Sequence, residues 1–181
     1  MLKPSAMRDA FLRQILARME NDDRVFFVSA DFGSPVLDHI RENYPDRFIN
    51  VGAAEQLMIG SAVGMALEGN HVFVYSIGNF PTFRCAEQIR NDIDYHDLPV
   101  VICAIGSGVA YGNLGYSHHA IQDISLMRAL PNMMIGTPCD PAEVREILDY
   151  HYVNQSHDVG SNVTDRCCGE KKNFQILAIA H

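Results

Sequence analysis

Apolar positions change their rhythm repeatedly along the chain. Over residues 5–20 they recur at helical spacing, with Phe11, Leu12, Ile15, Leu16 and Met19 on one side, which predicts a first helix. "VFFVSA", residues 25–30, is a continuous apolar run, as expected of a strand covered on both faces. A helix carrying Val36, Leu37 and Ile40 precedes a short strand in "RFINV". A helix headed by Glu55 then runs to Gly69, a glycine suited to a C-terminal cap. "HVFVYS", residues 71–76, reads as a third strand, and residues 82–95 as one helix. "LPVVICAIG", residues 98–106, is a fourth strand. A Gly-rich loop leads to a helix around residues 121–130, and "MMIGTP", residues 133–138, is a fifth strand. "DPAEVREILDYHY" follows as a helix with Asp140 as its cap and Pro141 in its first turn. Residues 154–172 are polar and irregular, and "NFQILAIAH" reads as a final strand.

Strands alternate with helices throughout. The expected fold is therefore α/β: a single three-layer domain, a mostly parallel sheet of about six strands, and helices on both faces joined by right-handed crossovers. Sites on such sheets lie beyond the carboxyl ends of the strands. That selects the loops 31–35, 51–55, 76–83 and 106–119.

Composition narrows the picture. With 181 residues, 48% of them hydrophobic, the chain can bury one real core. The formal net charge is −8 and no basic stripe is present, so nucleic acid is not an expected partner. No apolar run approaches a membrane span. The five cysteines (Cys85, Cys103, Cys139, Cys167, Cys168) are scattered and odd in number, which points to a reduced, cytoplasmic protein without a disulfide framework. The vicinal pair Cys167-Cys168 lacks a second pair to complete a zinc site, and no metal ligand set is expected in this chain.

Three stretches carry candidate chemistry. In "NVGAAEQLMIGSAVGMALEG", Glu55 stands among small and apolar residues with no basic residue in the run. It is either favourable charge at a helix N-terminus, worth about 0.3–1 kcal/mol in water, or a buried acid able to exchange a proton near neutral pH. His118 and His119 end the Gly-rich loop; they are either solvated or placed to relay protons or donate to an oxyanion. Phe80 and Phe83 follow a strand end and are either core or a stacking platform for a heteroaromatic ring. Neither a GxxxxGK[ST] phosphate loop nor a well-phased GxGxxG is present.

Together, "SADFGSP", "FINVGAAEQLMIGSAVGMALEG", "FPTFRCAEQIRND" and "YGNLGYSHHAIQDISLMRALPNMMIGTPCDPAEV" resemble the pyrimidine-binding domain of the transketolase family of thiamine diphosphate enzymes. The resemblance covers about residues 7–150. It looks more like transketolases and deoxyxylulose-phosphate synthases than the beta subunits of 2-oxo acid dehydrogenases, and most like a split transketolase in which this domain opens a second subunit. By that resemblance Glu55 matches the glutamate that bonds the N1′ nitrogen of the cofactor's aminopyrimidine. That bond favours the tautomer able to take the C2 proton of the thiazolium, and requires a glutamate that carries or shares a proton. Phe80, or else Phe83, matches the aromatic that stacks on the pyrimidine. His118 and His119 match the histidines facing the reacting carbon and substrate, and Asp31 an aspartate near the cofactor.

The departures set further expectations. The family's GDG motif with a downstream Asn, which holds the diphosphate and Mg2+, is absent, as is the third domain. A diphosphate-binding partner subunit is therefore implied, in a homo- or hetero-oligomer. The implied division is a pyrimidine-binding domain at residues 1–153, then an irregular loop and final strand at 154–181 that diverge from the family or are cut short. The implied function is two-carbon ketol transfer between sugar phosphates in carbohydrate metabolism. The rivals are a non-catalytic assembly subunit of the same fold and a deoxyxylulose-phosphate synthase-like acyloin-forming enzyme.

Overall fold

A six-stranded sheet, all of whose pairings are parallel, organises the chain. The computed structural model describes residues 7–31, 35–155 and 174–179, with the backbone alone at 35, 36, 153–155 and 174–179. The chain order is α1 (Met7–Asn21), β1 (Val25–Ser29), α2 (Pro35–Asn43), β2 (Phe48–Asn50), α3 (Glu55–Leu67) and β3 (His71–Ile77). The short α4 (Asn79–Thr82) and α5 (Ala86–Gln88) follow, then β4 (Val100–Ile105), α6 (Asp123–Arg128), β5 (Met134–Gly136), α7 (Pro141–Gln155) and β6 (Phe174–Ile179). Across the sheet the order is β2-β1-β3-β4-β6-β5. The winding direction reverses between β1 and β3, so the loops leaving those two neighbours open a crevice at the carboxyl edge.

Alternation along the strands builds two cores. In β3, Phe73 and Tyr75 face α1, α2 and α7, packing with Phe11, Ile15, Phe27 and Leu148. Val72 and Val74 face the other way, among Met58, Ile59, Ile89, Ile102 and Met127. A strand that buries both faces must be apolar at every position, which is why β1, β3 and β4 read as continuous apolar runs. Helix starts follow local chemistry. Asp140 caps α7, its carboxylate accepting the amides of Ala142 at 2.7 Å and Glu143 at 2.9 Å. Gly69, at φ 86°, turns the chain out of α3.

Two expectations change. Residues 82–95 do not form one helix: α4 ends at Thr82, the chain turns at 83–85, and α5 continues into a π-helical segment, Ile89–Asp94. Thr82 contributes to the break, because its hydroxyl donates to the Gly78 carbonyl at 2.7 Å and closes α4 on itself. At the other end of the chain, α7 includes Asn154 and Gln155, two residues assigned to the irregular loop. The remainder of that loop, with Cys167-Cys168, lies outside the described residues.

Candidate functional site

Three loops at the carboxyl edge converge, and each is held by a bond that the strand ends impose. At the end of β2, the Asn50 side-chain oxygen accepts the amide of Asp31 at 3.2 Å and that of Gly52 at 2.9 Å. This ties β1 to β2 and aims the chain into α3. That helix starts without a side-chain cap on Ala54, and Glu55 is its first residue. Glu55 is only 3% exposed. It is the buried acid, not a solvated decoration of the helix dipole.

The second loop follows β3. The Gly78 amide donates to the Ile105 carbonyl at 2.7 Å. A methyl group at Gly78 would come within 2.9 Å of the Ala120 Cβ, so glycine lets the end of β3 lie directly against the loop after β4. Phe80 is half-buried on α4. The turn after Thr82 carries Arg84 back over it, with the guanidinium carbon 4.4 Å from the Phe80 ring centroid. The same guanidinium donates to Glu55 Oε2 at 2.7 Å. The Gln56 side-chain amide donates to the Arg84 carbonyl at 3.1 Å, so the backbone under this arginine is fastened to α3.

The third loop follows β4. It opens at Gly106, at φ 84°, where any side chain would drive its Cβ to 2.1 Å from the Tyr111 ring. Tyr111 thereby packs onto bare backbone, and two short 3-10 turns, Gly112–Leu114 and Tyr116–His118, follow. Asn79 reaches from α4 to donate to the Ser117 carbonyl at 2.9 Å. His118 is held with its ring centroid 5.1 Å from that of Phe80 and 6.2 Å from that of Tyr111.

The structure thus brings together Glu55, Phe80 and His118. His119 is adjacent in sequence but turns away, its Nε2 3.0 Å from the Gly112 carbonyl. Phe83 is 44% exposed, on the turn that bears Arg84. Asp31 sits at the end of β1 with its backbone at φ 40°, exposed, its amide bonded to Asn50. Three contributors are not marked by the sequence pattern. Arg84 shows there only as a cation four residues after Phe80, well outside the helix that carries Glu55. Asn50 and Asn79 act through strand-end geometry that spacing does not encode.

The electrostatics are lopsided. Arg84's side chain is 48% exposed and that of Glu55 only 4%. A carboxylate out of water needs a compensating partner, and here one guanidinium supplies it from the solvent side. The run around Glu55 holds no basic residue, and the structure supplies one from 29 positions away. Beneath the pair, burial and then the Glu55 charge push the Cys85 thiol up to about 12, which leaves it unreactive at neutral pH. Burial likewise raises the Tyr111 phenol.

A buried carboxylate beside an aromatic ring, with an imidazole near, suits a flat group that donates hydrogen bonds at its edge and stacks on its face. Arg84 itself is such a group and meets both surfaces. A carboxyl group able to meet a ring nitrogen, with an aromatic face close by, suits the aminopyrimidine half of thiamine diphosphate. Among the described residues no group of three or more His, Cys, Asp or Glu could hold a metal ion. Depressions lie between α1 and the start of α7 around Arg13 and Arg145, and around Arg128 and Met133. On the outer face of α3, Leu57 and Leu67 are 58% and 64% exposed, flanking the open Gly60 and Gly64. No helix among the described residues is long and apolar enough to cross a membrane.

The family model for the transketolase pyrimidine-binding domain matches residues 3–158. The chain is 39% identical over 146 residues to an apulose-4-phosphate transketolase subunit of Actinobacillus succinogenes, covering 80% of this chain and 47% of that protein. It is 34% identical over 147 residues to 1-deoxy-D-xylulose-5-phosphate synthase of Acaryochloris marina, covering 81% of this chain and 23% of that one. Among solved structures, a split-gene transketolase described as an inactive β4 tetramer superposes with a TM-score of 0.75 at 28% identity, over 98% of this chain and 52% of that chain. The chain therefore spans less than half the length of these two curated relatives.

Proposed function

Because this chain belongs to the transketolase family, through its pyrimidine-binding domain, we propose that it supplies the aminopyrimidine-handling half of a thiamine diphosphate-dependent transferase. The observation that carries this reading is Glu55, buried at the head of α3 and joined to Phe80 through the Arg84 guanidinium that meets both. Glu55 would bond the ring nitrogen and hold or share the proton there. Phe80 would orient the ring, and its half-buried position favours it over the exposed Phe83. His118, held beside Phe80, would face the reacting carbon; His119 would act from the same loop towards substrate. Asp31 would border the cofactor from the end of β1. When bound, the cofactor supplies the acidic thiazolium carbon that makes two-carbon transfer feasible; the protein's share is aim and polarity.

The diphosphate and Mg2+ would be held by a partner subunit. The exposed apolar strip on α3 supports that division. The inactive β4 tetramer is consistent with it, as a property of that protein. The reaction we favour is ketol transfer between sugar phosphates, in the cytoplasm. The match to a deoxyxylulose-phosphate synthase supports a second reading, acyloin formation with the same cofactor.

The test mixes the chain with a diphosphate-binding transketolase subunit, thiamine diphosphate and Mg2+. Two-carbon transfer is expected from the mixture and from neither protein alone. Transfer by the mixture that is indifferent to Glu55→Ala would refute the assignment.

A further inference from the structure

The two surfaces that would receive an aminopyrimidine, the Glu55 carboxylate and the Phe80 face, are both already covered by one side chain. Arg84 donates to Glu55 Oε2 at 2.7 Å, and its guanidinium carbon lies 4.4 Å from the Phe80 centroid. A guanidinium is flat, cationic and edged with donors. Here it occupies both the carboxyl edge and the ring face that an aminopyrimidine would need. A ligand that bonds Glu55 while lying on Phe80 needs the volume that the guanidinium fills.

We propose that Arg84 is an internal stand-in for the ligand: it caps Glu55 and Phe80 while the site is empty and must swing out before an aminopyrimidine can bind. The inference rests on the reading of Glu55 and Phe80 given above. Two features make the swing feasible. The Arg84 side chain is half in water, so leaving the site does not bury it elsewhere. Its backbone stays pinned through the Gln56 bond to the Arg84 carbonyl at 3.1 Å, so only side-chain torsions need change. A capped empty site spares the protein a buried carboxylate without a counter-charge. The cap also weakens apparent affinity, because only the fraction of molecules with Arg84 outside is competent to bind.

The experiment measures binding of 4-amino-5-hydroxymethyl-2-methylpyrimidine to the full chain by isothermal titration calorimetry, for wild type, Arg84→Ala, Arg84→Met and Arg84→Ala/Glu55→Gln. Far-ultraviolet circular dichroism checks that each variant is folded. If Arg84 occupies the site, both single variants bind about tenfold tighter than wild type, and the double variant loses the gain. A second readout needs no substitution: raising sodium chloride screens the half-exposed pair and strengthens binding to wild type but not to Arg84→Ala. Measurable wild-type binding that is unchanged or weakened in both single variants overturns the proposal and leaves the assignment of the site standing. Absence of binding to every protein overturns both.

Discussion

The sheet has a polar cluster at each end, and the two are built on opposite terms. At the amino end, Asp22 is saturated. It accepts the Arg24 amide at 2.9 Å, the Arg24 side chain at 2.9 and 3.1 Å, and the Tyr152 hydroxyl of α7. These bonds, Arg24's first, hold its carboxyl well below the usual carboxylate range. Arg47 straps the same corner, donating to the carbonyls of Asp22 at 2.8 Å and Met19 at 2.9 Å. At the carboxyl end, Glu55 is more deeply buried yet has a single side-chain donor among the described residues, and that donor stands half in solvent. Redundant bonds make Asp22 a clamp, whereas the lone partly exposed partner of Glu55 is what the proposed binding role needs.

The sharpest way to break this contrast is Glu55→Ala. In a reconstituted assembly it should lower two-carbon transfer by about 100-fold or more, the range for loss of a proton-handling group, with a far smaller change in urea midpoint. A collapse of stability instead would make Glu55 a second clamp. Next, Asp22→Asn should cost about 1.5–3 kcal/mol in urea unfolding, the worth of bonds to a charged group, and leave aminopyrimidine binding unchanged.

A third test uses pH. His151 is fully buried against the Phe73 ring edge, and burial first, then electrostatic interaction with His71 and Arg18, lowers it to about 3. Its proton is therefore bound more readily in the unfolded chain. Stability from this residue is complete above the ordinary histidine value of about 6.5. It falls as pH drops from there towards 3, by at most about 1.4 kcal/mol per unit. Urea unfolding at stepped pH should show the slope beginning near pH 6.5, before Asp22 contributes, and His151→Leu should flatten that first part. The smallest effects come from the aromatics: Phe80→Ala should weaken aminopyrimidine binding about five- to tenfold, the worth of one stacked ring, and exposed Phe83→Ala by less than twofold. Equal losses would move the stacking surface to Phe83.

Much of this was legible in the sequence because strands buried on both faces admit only apolar residues. β1, β3 and β4 announce themselves, and their alternation with helices gives the layered fold and places the site at the carboxyl edge. Glu55 stood out as an acid among glycines and alanines, but charge at a helix N-terminus explained it as well until its burial was seen. The rest depends on what local pattern does not carry. The helix break at 83–85 comes from a turn that periodicity runs straight through, and it is this break that returns Arg84 to Phe80. The ion pair joins residues 29 positions apart. His118 and His119 were indistinguishable until the 3-10 turn sent one to Phe80 and the other to the Gly112 carbonyl.

The most direct test of the central claim is deuterium exchange at the C2 position of thiamine diphosphate, followed by proton NMR, with the chain, its diphosphate-binding partner and Mg2+ assembled. The account predicts exchange that is fast with wild type and about 100-fold or more slower with Glu55→Ala. Equal exchange rates for the two would show that Glu55 does not activate the cofactor and would contradict it.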